Sequence, residues 1–469
     1  MQLKPTCCWV WLLILLPVSL ISQNHAPIAI NDTVFMVPGQ SLEVNVLLND
    51  YDPDGDSIGF IGQPMGDSIR TISVPSYFVS PPVYLHYPYM IWDEHHYAAP
   101  DSSRAFVVAW VESKTAAWLD INNVKAAVNA FGKQFQISDI GGAYYVPADS
   151  EIRGFSKLRM WLTGMDDQEV VHSSSEEIFY DEYEYWPGPV ADEYDSLYQA
   201  RWTRLWVLTR EEVQYHIDHW YDPGYEPIEA ILTWPGNGDD SAGEAAQLAP
   251  YMDVNGDGVY DPVIGEYPLI KGDKCLYYIL NDKHPETSTY TRALGVDVHV
   301  MAYAFDCPGD SAFNNSTFCN YRVVNRSDTT YHDCYFGINT SWYLGEPWDN
   351  YMGCDTLLHS YFCYNGDDYD ESWPGSNDTS WGYEHHPPAL SVSFLNKPMT
   401  NYLNFYDQQP LGVPSKEYHF HNYMKGILQD SSFLTYGAWG YNGAQPTRFM
   451  FPGDPQDTLS GWTMLTAGF

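Results

Sequence analysis

The sequence predicts a mainly β protein: an N-terminal sandwich followed by a larger β-rich region with few short helices. Three observations lead to this prediction. Short segments of β-branched and aromatic residues alternate with polar ones, which is the period of a half-buried strand. The 35 glycines and 32 prolines of the 469-residue chain separate these segments at close intervals, as turns do. Aromatic residues make up 16% of the chain, which is enough to fill a large apolar core.

The chain is strongly acidic, with 61 acidic and 22 basic side chains and a net charge of −39. Such a surface repels the phosphates of nucleic acids and of anionic lipids, so we expect no nucleic-acid partner. After residue 22, no stretch is both apolar enough and long enough to span a membrane.

Residues 1–22 are predicted to be a signal peptide. Lys4 supplies the positive charge before the apolar run of residues 7–16, and this run is too short for an ordinary membrane span. Cys7 and Cys8 lie inside the run and not behind it, so they do not indicate a lipoprotein anchor. We therefore expect export to an extracellular or outer cell-surface location.

The first folded unit is predicted to begin at residue 26. Residues 26–33 read APIAINDT and residues 44–56 read VNVLLNDYDPDGD. These two segments resemble the cadherin-like, immunoglobulin-type repeat of large bacterial surface proteins. The resemblance implies a β-sandwich over residues 26–112, with residues 106–111 as its closing strand. The acidic turn at residues 52–56 is predicted either to bind calcium between strands or to be an ordinary turn.

A second and larger region is predicted over residues 114–469. It contains the segments LRMWLTGMD at 158–166, WPGP at 186–189 and FMFPGDP at 449–455. In this order they are similar to a long region of secreted Bacteroidetes proteins of the type IX secretion kind. The resemblance implies a cell-surface association and no particular chemistry. Those proteins usually continue into a sorting domain, so we expect the sequence to be a truncated piece.

The most informative motif of the larger region is DVNGDGVYD at residues 253–261. Oxygen-bearing side chains stand at every second position, as in loops that give Ca²⁺ its six to eight oxygen ligands. The segment resembles the short calcium loops of dockerins, thrombospondin repeats and integrin hairpins. The twelfth position is Ile264 and not a glutamate, so another carboxylate must complete the ligand shell. The predicted ligands are Asp253, Asn255, Asp257, the Val259 carbonyl and either Asp261 or Glu266. Alternatively, the segment is an acidic loop of Asx turns without an ion.

Six cysteines remain after the signal peptide, and all lie in the middle of the chain. They are Cys275, Cys307, Cys319, Cys334, Cys354 and Cys363. An even number in an exported chain predicts disulfides, although six cysteines permit 15 connectivities. A zinc site is disfavoured because no C-x-x-C pair is present.

Two local predictions concern secondary structure. Thr209 and Glu212 form a capping box that predicts a surface helix over residues 209–217. Residues 296–300 alternate valine with Asp297 and His299, which predicts a half-buried strand.

No catalytic motif is recognisable, and the 61 acidic residues offer too many carboxylate pairs to choose among. The pairs His95–His96 and His385–His386 are either metal ligands or exposed loop residues. A second calcium site is a further hypothesis, formed by Asp349, Asp355, Asp367 and Asp368 with Asn365.

Two functional classes therefore remain open. The first is a secreted or surface-attached, calcium-stabilised β protein with an adhesion or binding role toward cell-surface glycans or proteins. The second is a secreted carbohydrate-active or other hydrolase with unidentified carboxylate catalysts. A cleft with two carboxyl groups flanked by tryptophan would favour the hydrolase.

Overall fold

The computed structural model describes residues 24–60, 67–75, 83–93, 102–111, 113–137, 141–175, 183–285, 287, 291–374, 379–405, 410–457 and 459–468. The predicted signal peptide and the pair His95–His96 lie outside these residues. Strands form 37% of the structure and helices 12%, so the predicted mainly β class is confirmed. The described residues divide into two compact units, one formed by 24–75 with 84–111 and the other by 113–468.

The smaller unit contains six strands in two sheets. They are β1 (Asp32–Met36), β2 (Ser41–Asn45), β3 (Ile58–Phe60), β4 (Ile69–Ser73), β5 (Val83–Asp93) and β6 (Ser102–Val111). One sheet has the order β1-β6-β5-β3, with β1 parallel to β6, and the other pairs β2 with β4. Both sheets supply buried side chains, for example Val44 and Ile72 from one and Ile91 and Val107 from the other. This is the pattern of a β-sandwich core.

The Tyr89 hydroxyl connects the two sequence motifs of this unit. It lies 3.2 Å from Asp32 Oδ2, 3.2 Å from Asp50 Oδ2 and 3.1 Å from the Val46 carbonyl oxygen. Burial raises the pKa of both carboxyl groups, and burial together with their charges raises the pKa of Tyr89. The aspartates of the two motifs thus fix the centre of the sandwich.

The described part of the larger unit contains 22 further strands. In chain order they are β7 (Ala116–Leu119), β8 (Lys125–Asn129), β9 (Gln136–Ile137), β10 (Gly141–Gly142), β11 (Tyr144–Tyr145), β12 (Arg153–Met165), β13 (Val171–Ser175), β14 (Trp186–Pro187), β15 (Trp206–Thr209), β16 (Tyr251–Met252), β17 (Tyr267–Pro268), β18 (Lys274–Asn281), β19 (Val296–Ala304), β20 (Phe318–Asn325), β21 (His332–Trp342), β22 (Asn350–Asp355), β23 (Ser360–Asn365), β24 (Tyr369–Asp370), β25 (Trp373–Pro374), β26 (Thr379–Ser380), β27 (Glu384–His385) and β28 (Leu390–Ser393). Most of them belong to three sheets.

The first sheet of the larger unit has the order β13-β12-β11-β8-β7, and β21 also pairs with the long strand β12. The second has the order β14-β18-β19-β20, with β15 paired to β18. The third has the order β22-β23-β28. Four two-stranded sheets complete the set: β9–β10, β16–β17, β24–β27 and β25–β26.

The second sheet is covered on both faces. One face packs against the first sheet in a cluster that includes Leu158, Leu276 and Val298. The other face packs against Trp202, Trp234 and further side chains from the segment between β14 and β18. The strand predicted over 296–300 is therefore present as part of β19, but it is fully buried and not half-buried.

Asp297 and His299, predicted to be on the solvent side of the strand, are instead buried. They lie on the face that the segment between β14 and β18 covers, with exposures of 0% and 5%. Burial raises the pKa of Asp297 to about 6, while the nearby Arg326 guanidinium, 3.4 Å away, opposes this shift. Burial lowers the pKa of His299 to about 3, and its Nδ1 lies 2.8 Å from the Tyr277 hydroxyl. Alternation alone could not reveal a covering layer that comes from distant sequence.

The helices are short. They are α1 (Ser196–Trp202), α2 (Arg210–His219), α3 (Glu229–Leu232), α4 (Ser311–Asn314), α5 (Glu417–Lys425) and α6 (Met464–Ala467). The predicted helix is confirmed as α2, and its capping box is formed by Thr209 and Glu212. Within the described part of the chain, no helix is long and apolar enough to cross a membrane.

The predicted disulfides are not formed, since all six cysteines are free thiols in the structure. Cys275 lies opposite Tyr303 on β19, and Cys319 lies opposite the adjacent residue Ala302. Consecutive residues of a strand point to opposite faces of a sheet, so these two thiols are separated by the sheet itself.

Cys354 and Cys363 come nearer to a pairing geometry but do not reach it. Cys354 lies opposite Tyr361, and Cys363 lies opposite Met352, which makes the two cysteines diagonal neighbours on one face. Diagonal neighbours are roughly 7–8 Å apart, which is more than a disulfide spans without backbone movement. An even cysteine count therefore did not predict pairing here.

Candidate metal centre

The predicted calcium segment forms the connection of the β16–β17 hairpin. Tyr251 pairs with Pro268 and Met252 pairs with Tyr267, so the two ends of the connection meet. Asp253 directly follows β16, and Glu266 directly precedes β17. The hairpin therefore brings together two carboxylates that are 13 positions apart in the sequence.

Three carboxylates converge in this loop. Oxygens of Asp253, Asp257 and Glu266 lie within 4.8 Å of one another, and among the described residues no other three acidic, histidine or cysteine side chains meet at this distance. Asp257 is exposed, Asp253 is half-buried and Glu266 has an exposure of 0%. The group thus runs from the surface to the interior.

Backbone amide groups orient Asp253. Its Oδ1 accepts from the Gly256 N–H at 2.6 Å and its Oδ2 from the Gly258 N–H at 2.9 Å. These hydrogen bonds lower the pKa of Asp253 and keep the carboxylate ionised. Both glycines have φ near +77°, a conformation that residues with a Cβ rarely adopt. The glycines of the motif therefore allow the turn that folds the loop around Asp253.

Glu266 holds the two halves of the loop together. Its Oε1 accepts from the Val254 N–H at 3.0 Å and its Oε2 from the Asp261 N–H at 2.8 Å. No lysine, arginine or histidine in the described ranges forms an ion pair with it. Each carboxylate oxygen has a further lone pair, so the buried charge can still bind a cation.

The main chain of Glu266 is held by helix α2. His216 donates from Nε2 to the Glu266 carbonyl oxygen at 3.0 Å, and the Tyr225 hydroxyl lies 3.2 Å from His216 Nδ1. Burial lowers the pKa of His216, which favours the neutral ring that can donate at one nitrogen and accept at the other. Trp220 covers Gly265, where a Cβ would collide with its indole ring.

The remaining predicted ligands divide into two groups. Asn255 stays at the cluster, since its Nδ2 donates to Asp257 Oδ2 at 2.8 Å. The Val259 N–H donates to Asp257 Oδ1 at 2.7 Å, and its side chain is exposed. Asp261 lies outside the three-carboxylate group, because its Oδ1 caps the 3-10 helix Pro262–Ile264 by accepting from the Val263 N–H at 2.9 Å. Of the two predicted closing residues, Glu266 is the one at the cluster.

Asn237 also positions the loop, and the sequence gave no indication of it. Its Nδ2 donates to the Gly258 carbonyl at 2.8 Å, and its Oδ1 accepts from the Tyr260 N–H at 2.7 Å. It lies 16 residues before the motif, in a segment of turns without any recognisable spacing to it. Only the fold brings the two segments together.

The second calcium hypothesis fails as a set. Asp355 lies at the turn end of the β22–β23 hairpin, where its Oδ1 accepts from the N–H groups of Leu357 and Leu358. Asp349 and Asn365 lie at the opposite end, with Asn365 Nδ2 donating to Asp349 Oδ2 at 2.8 Å. Five residues of strand separate the two ends, roughly 16 Å.

The other candidates show no metal geometry. Asp52 Oδ1 accepts from the Asp54 and Asp56 N–H groups at 2.7 and 3.3 Å, as an Asx turn does. His385 and His386 are exposed, and neither belongs to a cluster of metal-ligating side chains among the described residues.

A surface groove beside α2 tests the hydrolase alternative. It is lined by Glu211, Glu212, Tyr215, His219, Asp222, Pro223, Gly224, Tyr225, Glu226 and Ile228. Carboxylates are present, but tryptophan is not among these lining residues. This groove does not match the cleft that would favour a glycosidase.

Comparison with known proteins finds a family match for part of the smaller unit. A family model of the bacterial Ig domain matches residues 24–79, which confirms the predicted immunoglobulin-type repeat in this part of the chain. No curated protein and no solved structure matches the chain. Bacterial Ig domains commonly occur in extracellular proteins, so the match indicates a surface or extracellular protein.

Proposed function

We propose that this protein is exported and binds cell-surface glycans or proteins outside the cell, stabilised by Ca²⁺ in the loop of residues 253–266. The observation that carries the proposal is the convergence of Asp253, Asp257 and Glu266 within 4.8 Å. A buried glutamate without a cationic partner among the described residues is costly unless an ion compensates its charge.

The donor set of the loop suits calcium. Carboxylate, amide and backbone carbonyl oxygens are hard ligands, and Ca²⁺ accepts them in irregular arrangements. Asp253, Asp257 and Glu266 would bind through lone pairs that their N–H partners leave free, with Asn255 and the Val259 carbonyl beside them. The ion would neutralise the mutual repulsion of the three carboxylates, which is its contribution to stability.

Exposed aromatic side chains support the binding role. Trp348, Trp373 and Trp381 of the larger unit are exposed by 88%, 66% and 44%. Indole rings at a surface pack against sugar faces and against apolar protein side chains. Trp373 lies opposite Ser380 in the β25–β26 hairpin, and Ser380 is followed directly by Trp381. The two tryptophans therefore belong to one surface hairpin.

The route of export is part of the same proposal. The order of motifs over residues 114–469 resembles secreted Bacteroidetes proteins, and the bacterial Ig domain is compatible with that setting. We propose secretion of the type IX kind after removal of residues 1–22.

The binding role is tested with the purified full chain on an array of glycans and on intact cells, with and without calcium. We expect Trp373→Ala and Trp348→Ala to weaken binding at least tenfold without changing the melting temperature. Phe35→Ala, an exposed aromatic of the smaller unit, is the matched control. Absence of binding to every glycan and cell type would contradict the proposal, and release of free sugar from the array would favour the hydrolase.

A further inference from the structure

A second group of acidic side chains lies where β22 begins, and three buried oxygens in it lack partners among the described residues. Glu346 is 7% exposed, Asn350 is 8% exposed and Asp370 is 0% exposed. Glu346 Oε1, Asp349 Oδ1 and Asn350 Oδ1 are buried and accept no hydrogen bond from the described residues. Buried oxygens are almost always paired, so three orphans within five consecutive residues require an explanation.

Hydrogen bonds hold these residues against the segment that follows β23. The Glu346 N–H donates to Asp370 Oδ1 at 3.0 Å, and the Gly366 N–H donates to the Asp349 carbonyl oxygen at 2.9 Å. Asn365 donates from Nδ2 to Asp349 Oδ2 at 2.8 Å. The two segments are therefore joined at three points.

The partners of the same side chains show which atoms remain for a ligand. Glu346 Oε2 accepts from the Trp348 N–H at 3.1 Å, which leaves Oε1. Asn350 donates from Nδ2 to the carbonyls of Tyr343 and Leu344, which directs the amide oxygen away from them. Glu346 and Asn350 thus each use one side of the polar group for the fold and leave the other side unused. Asp370 accepts at both oxygens, from the N–H groups of Glu346 and Tyr383, so it would bind through remaining lone pairs.

The charge of this group is uncompensated. No lysine, arginine or histidine that the structure describes forms an ion pair with Glu346, Asp349 or Asp370. Burial, followed by the charges of neighbouring carboxylates, raises the pKa of each of the three. Water could satisfy the orphan oxygens and a proton could neutralise a carboxyl group, whereas a bound cation does both at once.

We infer that Glu346, Asp349, Asn350 and Asp370 form a second binding site for Ca²⁺. Unlike in the loop, no three carboxylates of this group lie within 4.8 Å of one another. The shell must therefore include amide and water oxygens with the carboxylates, a mixed set that Ca²⁺ accepts more readily than Mg²⁺, which demands a small, regular octahedron. This site is independent of the loop and shares only Asp349 with the set predicted from sequence.

The test is calcium binding by isothermal titration of the full chain carrying Asp257→Ala, so that the loop is silent. We expect this chain to bind calcium, and Glu346→Gln to weaken that binding at least tenfold. Glutamine keeps an acceptor for the Trp348 N–H, so the fold should persist, and Asp349→Asn serves as a second variant. Asp355→Asn, at the far end of the same hairpin, is the matched control and should leave the affinity unchanged.

Melting temperature supplies a second measurement. Without calcium, Glu346→Gln should melt higher than its parent because a buried uncompensated charge is removed, and with calcium the order should reverse. The inference is overturned if the Asp257→Ala chain binds no calcium, if Glu346→Gln leaves the affinity unchanged, or if magnesium binds equally well. A wild-type chain that loses all its calcium binding with Glu346→Gln alone would contradict the loop proposal and not this one.

Discussion

Replacing Asp257 by alanine removes the exposed member of the three-carboxylate loop. Among the described residues, Asp257 accepts from the Asn255 side chain and the Val259 N–H, both within the loop. The buried member Glu266 and its two N–H donors are untouched by this change. We therefore expect the larger unit to fold normally and to lose the calcium affinity of the loop.

The expected size of the effect follows from binding linkage. Extracellular calcium sites bind at about 10⁻⁴ to 10⁻³ M, so 10 mM calcium stabilises the folded state by about 1.4 to 2.7 kcal/mol through one site. The two N–H groups that hold Glu266 in place favour the tighter end of this range, because less ordering remains to be done on binding. For a unit of this size the shift in melting temperature is on the order of 2 to 4 °C.

The assay is differential scanning calorimetry in 10 mM calcium and in chelator, carried out in the Glu346→Gln background so that the second proposed site does not contribute. The Glu346→Gln chain should gain stability with calcium, and the Glu346→Gln, Asp257→Ala chain should not. Asp355→Ala, which removes another turn carboxylate of the same unit, is the control and should keep the full shift. Equal calcium shifts with and without Asp257 would refute the assignment of the ion to this loop.

Three further predictions concern the fold. Asp282 accepts from Ser174 Oγ at 2.5 Å and from three consecutive N–H groups beginning at Leu294. Asp282→Ala should therefore lower the free energy of unfolding, measured in urea, by about 3 to 5 kcal/mol. A loss below about 1 kcal/mol would contradict this. The folded pKa of Asp297 is raised from 3.8 to about 6, so its contribution to stability is present at low pH and is lost as pH rises from about 4 to 6, by about 3 kcal/mol. Urea unfolding of Asp297→Asn across this range should lack that component, and an unchanged pH profile would show the pKa to be ordinary. Limited proteolysis should cut near residues 113–116 and release residues 26–112 intact, and earlier cutting inside 26–112 would argue against an independent sandwich.

Local signals predicted what depends on neighbouring residues. The capping box of Thr209 and Glu212 gave helix α2, because both partners lie within one helical turn. The motif at residues 253–261 predicted a loop of oxygen-bearing side chains. In the structure this segment is a loop, in which Asp253 accepts from the N–H groups of Gly256 and Gly258. Such features need no information about the rest of the chain.

Features that depend on distant segments were missed. Burial of Asp297 required knowledge of the covering layer between β14 and β18, and the position of Glu266 required the hairpin that closes the loop. Asp261 was an equal candidate by spacing, but the proline that follows it makes it a helix cap. Disulfides were expected from the even number of cysteines, without a particular pairing. The register of β19 places Cys275 and Cys319 on opposite faces of the sheet.

Glu266 connects the acidic loop to helix α2. Its side chain binds the loop, and its main-chain carbonyl accepts a hydrogen bond from His216 of α2. Val254 and Val259 of the loop are exposed, so we expect the loop to depend on the helix for its resistance to opening. We therefore expect the loop and α2 to open in one cooperative step in hydrogen exchange. The amides of Val254 and Asp261, which donate to the Glu266 carboxylate, should exchange at the same rate as the interior amides of α2. An exposed turn would then show the protection of a buried element.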